Sequence, residues 1–101
     1  MSANPARGEA ALTVDGRTYR FRPSFEALVA AEAELGPLFA LVERAADGKI
    51  MLQELAGLFW HCLAEEAPPE RAVLADALVA AGLAALTPVL RRLLGQILQG
   101  R

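Results

Sequence analysis

One cysteine and one histidine stand in this chain of 101 residues. A single thiol, Cys62, excludes an internal disulfide and any CxxC motif, and a single imidazole, His61, leaves no histidine pair to anchor zinc. Basic charge is not in excess either: ten Lys and Arg against twelve Asp and Glu give a formal charge of -2. A nucleic-acid binder carries a basic face. The arginines here are scattered, with Arg17, Arg20 and Arg22 the densest group, so no nucleic-acid partner is expected. Charges interrupt every apolar stretch well before the ~18 residues that span a bilayer. Met1 to Gly8 is polar and unlike a signal peptide. No membrane partner is expected, and a soluble, cytoplasmic protein is. There is also no Gly-rich phosphate loop, internal repeat or low-complexity linker.

What the chain has in quantity is apolar side chain, 54% of residues against 22% charged. That balance excludes disorder over most of the length and suits a single domain. Residues 1–8, with Asn4-Pro5 and Gly8 as punctuation, read as a flexible tail, and residues 9–101 as one helical domain. Its N-terminus is a β-hairpin. Asp15-Gly16 is a strong turn signal because a type I′ turn needs positive φ at both central residues. Around it Glu9 to Val14 and Arg17 to Arg22 alternate, with Ala10, Leu12, Val14, Tyr19 and Phe21 on the face to be buried. A lone hairpin is marginal in water, so it must lie on the helices of the same chain or pair with another strand.

About five short helices come after the hairpin, which makes the fold α+β, mainly α, a hairpin in front of a small bundle. The first opens at Pro23-Ser24, with Ser24 as cap, carries Phe25, Leu28, Val29 and Leu35 as its stripe, and stops at Gly36. Pro37 starts the second, with Leu38, Leu41, Val42 and Ala45 apolar, ending at Asp47-Gly48. The third runs from about Leu52 to Glu66 and stops before Pro68-Pro69. The fourth runs from Glu70 to about Ala81, facing inward through Val73, Leu74, Ala77 and Leu78, with Gly82 as its stop. The fifth starts with Thr87 as cap and Pro88 at its first position and continues to about Gln99. Whether Leu83 to Leu86 is a separate turn or its front is open.

No catalytic, cofactor-binding or metal-binding residue is expected, and no cofactor. His61 and Cys62 are adjacent, and adjacent helical residues point about 100° apart, so they do not face one another. Cys62 reads as a core thiol and His61 as a surface residue. Glu65-Glu66 reads as a wet helix end. Glu32 falls on the apolar stripe of the first helix, where a charge needs a partner or the rim. Arg20 or Arg22 of the hairpin is the natural partner, and the three form a candidate contact with the hairpin or a neighbouring subunit. Trp60 lies beside the stripe of its helix and is either core or a contact anchor. On the last helix Leu90, Leu93, Leu94, Ile97 and Leu98 form a broad stripe that meets either its own core or a partner helix. The candidate partner-binding residues are therefore Arg20, Arg22, Glu32, Trp60, Leu90, Leu94, Ile97 and Leu98.

The order of these motifs resembles a known family. Glu9-x-x-Leu12-x-Val14-Asp15-Gly16-x-x-Tyr19 is followed by Phe25-x-x-Leu28-x-x-x-Glu32-x-x-Leu35-Gly36 and by Leu55-x-x-Leu58-Phe59-Trp60-x-x-Leu63. A Pro-Glu helix opening and the Gly82 stop come next. Over Gly8 to Gln99 this is similar to the tail assembly chaperones of gene transfer agents and related tailed phages. The resemblance implies a protein without catalysis that binds the tape measure protein, keeps it soluble and is displaced by tail tube protein. It also fits a homo-oligomer, joined through an edge of the hairpin. The competing reading is a small homo-oligomeric adaptor or regulatory protein.

Overall fold

In the computed structural model the described residues are 9–99. The expected flexible tail, residues 1–8, lies outside them. Asp15 and Gly16 take φ of 50° and 81°, so both central residues of the turn are left-handed, as a type I′ hairpin requires. Strand β1 (Ala10–Val14) therefore folds directly back on β2 (Arg17–Phe21). The pairing is antiparallel, with Val14 opposite Arg17 and Ala10 opposite Phe21. Ala10, Leu12, Val14, Tyr19 and Phe21 are buried together as the alternation predicts. On the wet face the hydroxyls of Thr13 and Thr18 are 2.9 Å apart.

Helix α1 (Phe25–Leu35) starts where expected, and the Ser24 hydroxyl accepts the Ala27 N–H at 3.2 Å. Its inward face differs from the expected one. Phe25 and Val29 are exposed, whereas Ala31 is fully buried, between Ala27, Leu28 and Leu35. The small side chain of Ala31 lets α1 lie close on α3 (Leu52–Cys62), which turns the larger residues outward. Helix α2 (Leu38–Ala46) comes next, with Pro37 as its cap rather than its first residue, and buries Leu38, Leu41 and Val42.

Helix α3 ends at Cys62, short of the expected Glu66. The reason lies in the hairpin. Leu63 is extended (φ -62°, ψ 122°) and forms a β-bridge with Phe21. The Arg22 N–H donates to the Cys62 carbonyl at 2.7 Å and the Ala64 N–H to the Arg20 carbonyl at 2.8 Å. The Arg20 N–H donates to Glu65 Oε2 at 3.2 Å. The outer edge of β2 thus takes the chain out of the helix, and Glu65-Glu66 is not a helix end.

Helix α4 (Arg71–Ala81) buries Leu74 and Leu78, while Val73 is exposed rather than inward. Helix α5 (Leu83–Gln99) begins at Leu83, not at Thr87-Pro88, and carries Pro88 inside it. The N–H groups of Ala85 and Leu86 bond back to the Gly82 carbonyl at 3.2 and 3.3 Å, and the Thr87 hydroxyl donates to the Leu83 carbonyl at 3.0 Å. Starting early buries Leu86, which offsets the hydrogen bond that Pro88 removes. α4 and α5 meet at a bend of 115°, and both pack on β1. At the centre the rings of Phe21 and Phe59 meet edge to face at 4.9 Å.

Candidate functional site

The expected tie between Glu32 and the hairpin is not made. Arg20 Nε lies 3.8 Å from Glu65, and Arg22 Nε lies 4.0 Å from Glu9. Glu32 Oε2 instead accepts the Leu38 N–H at 3.2 Å. Pro37 offers no side-chain cap to α2, so Glu32 satisfies one of the N–H groups that a helix start leaves open. Its place on an otherwise apolar stripe is explained by this local capping. Arg20 and Arg22 belong to the β2 edge of the hairpin, whereas Leu90, Leu94 and Leu98 line a groove with α2.

Glu34, which no sequence signal singles out, holds the densest polar cluster among the described residues. Arg71 approaches it two-pronged, Nη1 to Oε1 at 2.8 Å and Nη2 to Oε2 at 2.5 Å. His61 Nε2 lies 2.8 Å from the same Oε1. The Arg71 hydrogen bonds, then the His61 bond, hold the Glu34 carboxyl down at about 2. The cluster joins α1, α3 and α4 across the small residue Gly57. A second pair joins Arg44 Nη1 to Glu54 Oε1 at 2.6 Å and keeps Glu54 below the usual carboxylate range. Cys62 is a core thiol as expected, and burial pushes it up to about 12. Among the described residues, no three His, Cys, Asp or Glu side chains converge as a metal site.

The remaining candidates lie on apolar surface. Leu90, Leu94 and Leu98 line a shallow groove of about 490 Å³ between α2 and α5, with Val42, Ala45 and Arg91. Leu90 also borders a groove of about 300 Å³ with Met51, Leu52 and Leu83. Leu52 in turn borders a third, of about 670 Å³, with Ala56, Val79, and the Glu34–Arg71 pair. Shared walls at Leu90 and Leu52 make these one apolar belt across α5, α3 and α4. Trp60, Leu90, Leu94 and Ile97 are all half-buried and pack against the core with part of their surface. Sequence reasoning missed Met51, Leu52, Val79 and Leu83. Leu52 falls at helical spacing with Leu55, Leu58 and Phe59 and so reads as inward, and Leu83 reads as a turn or the front of the last helix; nothing local marks either as exposed.

These features define a small, mainly helical protein whose described surface carries apolar grooves. The chain belongs to the family described as "Phage tail tube protein, GTA-gp10", whose match covers residues 7–100. It is a tail protein of phages or gene transfer agents. No curated protein and no solved structure matches it. Among the described residues no single helix is long and apolar enough to cross a membrane.

Proposed function

We propose that this chain is a non-enzymatic tail assembly chaperone. It binds the tape measure protein in the cytoplasm, keeps it soluble, and gives way to tail tube protein. The observation that carries this reading is the large apolar side chain left in water along the belt: Leu83 at 65% exposure, Met51 at 64%, Val79 at 60% and Leu52 at 52%. Contiguous apolar surface on a small protein marks a contact site. The belt through Leu90 and Leu94 is shaped for the apolar stripe of a helix, the form a long helical client presents. Trp60, Ile97 and Leu98 flank the contact on this reading, while Arg20, Arg22 and Glu32 serve it only through the fold.

A second reading is favoured by the family description, which names a tail tube protein. One preparation separates the two. The chain is co-expressed with the tape measure protein of its gene cluster, and finished tails are purified in parallel. A chaperone co-purifies with the client, renders it soluble and is missing from finished tails. A tube subunit is abundant in finished tails and leaves the client insoluble. Leu94→Asp and Leu90→Asp abolish co-purification if the belt is the contact.

A further inference from the structure

The two edges of the hairpin are treated differently. In a hairpin with a two-residue turn, the residues flanking the turn form a hydrogen-bonded pair, and bonded pairs then alternate. Val14–Arg17, Leu12–Tyr19 and Ala10–Phe21 are therefore the pairs that exchange backbone bonds. The backbone groups of Ala11 and Thr13 point away from β2, and those of Thr18, Arg20 and Arg22 point away from β1. On the β2 side the chain covers its own edge: Ala64 and Cys62 bond Arg20 and Arg22, and Leu63 bridges Phe21. That edge also carries two arginines, which discourage a further strand. On the β1 side, among the described residues, nothing bonds the outward N–H and C=O of Ala11 and Thr13. Both residues are exposed, and Ala11-Leu12-Thr13 carries no charge, proline or bulge.

We propose that β1 pairs with β1 of a second copy of this chain, antiparallel about a two-fold axis at Leu12. The two-fold places Ala11 opposite Thr13 of the second copy, and Thr13 opposite its Ala11. Each of these pairs exchanges two N–H···O=C bonds, because the outward groups of both residues have the same parity. The second copy is the occupant that the edge itself specifies. Antiparallel pairing of identical strands repeats the burial pattern, so Ala10, Leu12 and Val14 of both copies stay on one face of a continuous sheet. Arg22, beside Glu9 at 4.0 Å, tempers the two symmetry-related like-charge approaches this register creates, between Glu9 of each copy and Asp15 of the other. The pairing is short, so the dimer is weak and forms on concentration. It is independent of tape measure binding, and either proposal can fail without the other.

The test is the mass of the full chain by sedimentation equilibrium from about 10 µM to about 1 mM, the range a small interface implies. Wild type is expected to rise from the 10.8 kDa of one chain to twice that mass. Ala11→Pro removes an outward N–H and leaves the β1–β2 bonds intact, and proline is tolerated at such an edge. It is expected to keep the wild-type circular dichroism and stay at one chain mass. Ala11→Val keeps the N–H and is expected to dimerise like wild type, which guards against a general effect of substitution at this position. A wild type that stays at one chain mass at the highest concentration overturns the proposal. So does a folded Ala11→Pro variant that keeps the wild-type mass.

Discussion

At Gly57 of α3, side chains of α1 and α4 close over the helix, and replacing it tests how the three are held. A Cβ built there meets Arg71 Nη2 and Leu35 Cδ2 at 3.1 Å and Glu34 Oε2 at 3.2 Å. All three are the far ends of flexible side chains, and no backbone atom is among them. Two effects then compete in Gly57→Ala. Alanine gains about 1 kcal/mol over glycine in a helix interior. Against this, the tips must move by a few tenths of an ångström, which disturbs a partly exposed ion pair worth about 0.2–1 kcal/mol. The variant should therefore be between unchanged and about 1 kcal/mol more stable, a rise in melting temperature of at most about 4–8 °C. In an Arg71→Ala background the opposing term largely disappears, and the whole gain of about 1 kcal/mol should emerge. Urea unfolding followed at 222 nm for the four proteins closes the cycle. A loss above about 2 kcal/mol in both backgrounds, the size of true overpacking, would show that the helix backbones and not the side-chain tips set the distance, and the reasoning would be wrong.

Other consequences arise from the same contacts. Glu34 sits at about 2 against an ordinary 4.5, so its stabilisation is present above 4.5 and lost as pH falls toward 2. The melting-temperature difference between wild type and Glu34→Gln should shrink over that window, and a difference constant with pH would contradict the assignment. Cys62 is raised from 9.0 to about 12, so its contribution is intact below 9.0 and lost as pH rises toward 12. At about pH 8 a thiol reagent should label it only on unfolding, since the buried thiol is neutral and inaccessible. Glu32→Ala should cost about 0.5–1 kcal/mol through the lost cap on α2, measured by urea unfolding. Leu93→Ala, at a fully buried site, should cost about 2–5 kcal/mol. A cost under about 1 kcal/mol would mean α5 is not docked.

The parts of the fold written in adjacent residues were legible, and the parts decided between distant segments were not. Turn chemistry at Asp15-Gly16 and the alternation beside it act over a few residues, and the hairpin stands where they put it. The Ser24 cap and the stops at Gly36 and Gly82 are equally local. The end of α3 is not. Leu63 and Ala64 continue a helical pattern, and only the competing hydrogen bonds of Arg20 and Arg22 pull them out of it. The start of α5 is set by burial of Leu86 against a core that no local signal shows, which overrides the Thr87-Pro88 signature. On α1 the larger residues suggested a stripe through Phe25 and Val29, whereas close packing selected Ala31. The Glu34 cluster joins residues 27 and 37 positions apart, a spacing at which sequence carries no sign of contact. Glu32 was rightly singled out as anomalous, but its partner was a backbone N–H six residues on rather than a distant arginine.

The hairpin's place in front of the helices is explained by these contacts. Its buried face needs a floor, and α4 and α5 supply it under β1. Its β2 edge needs closing, and the end of α3 supplies that at the cost of a last helical turn. Both needs are met from within the chain, so the hairpin does not depend on a partner to be stable. Among the described residues the outside offers two further kinds of surface: the β1 edge at Ala11 and Thr13, and the apolar belt at Leu52, Leu83, Leu90 and Leu94. The edge offers directional hydrogen bonds that select a matching strand, and the belt offers non-directional apolar area that accepts many helix sequences. A protein that must cover a long client of varying sequence needs area without sequence demands on the client side. It needs register on the side that meets its own kind. On the two proposals made above, that division, with the demanding contact on the sheet and the permissive one on the helices, is what an assembly factor would use.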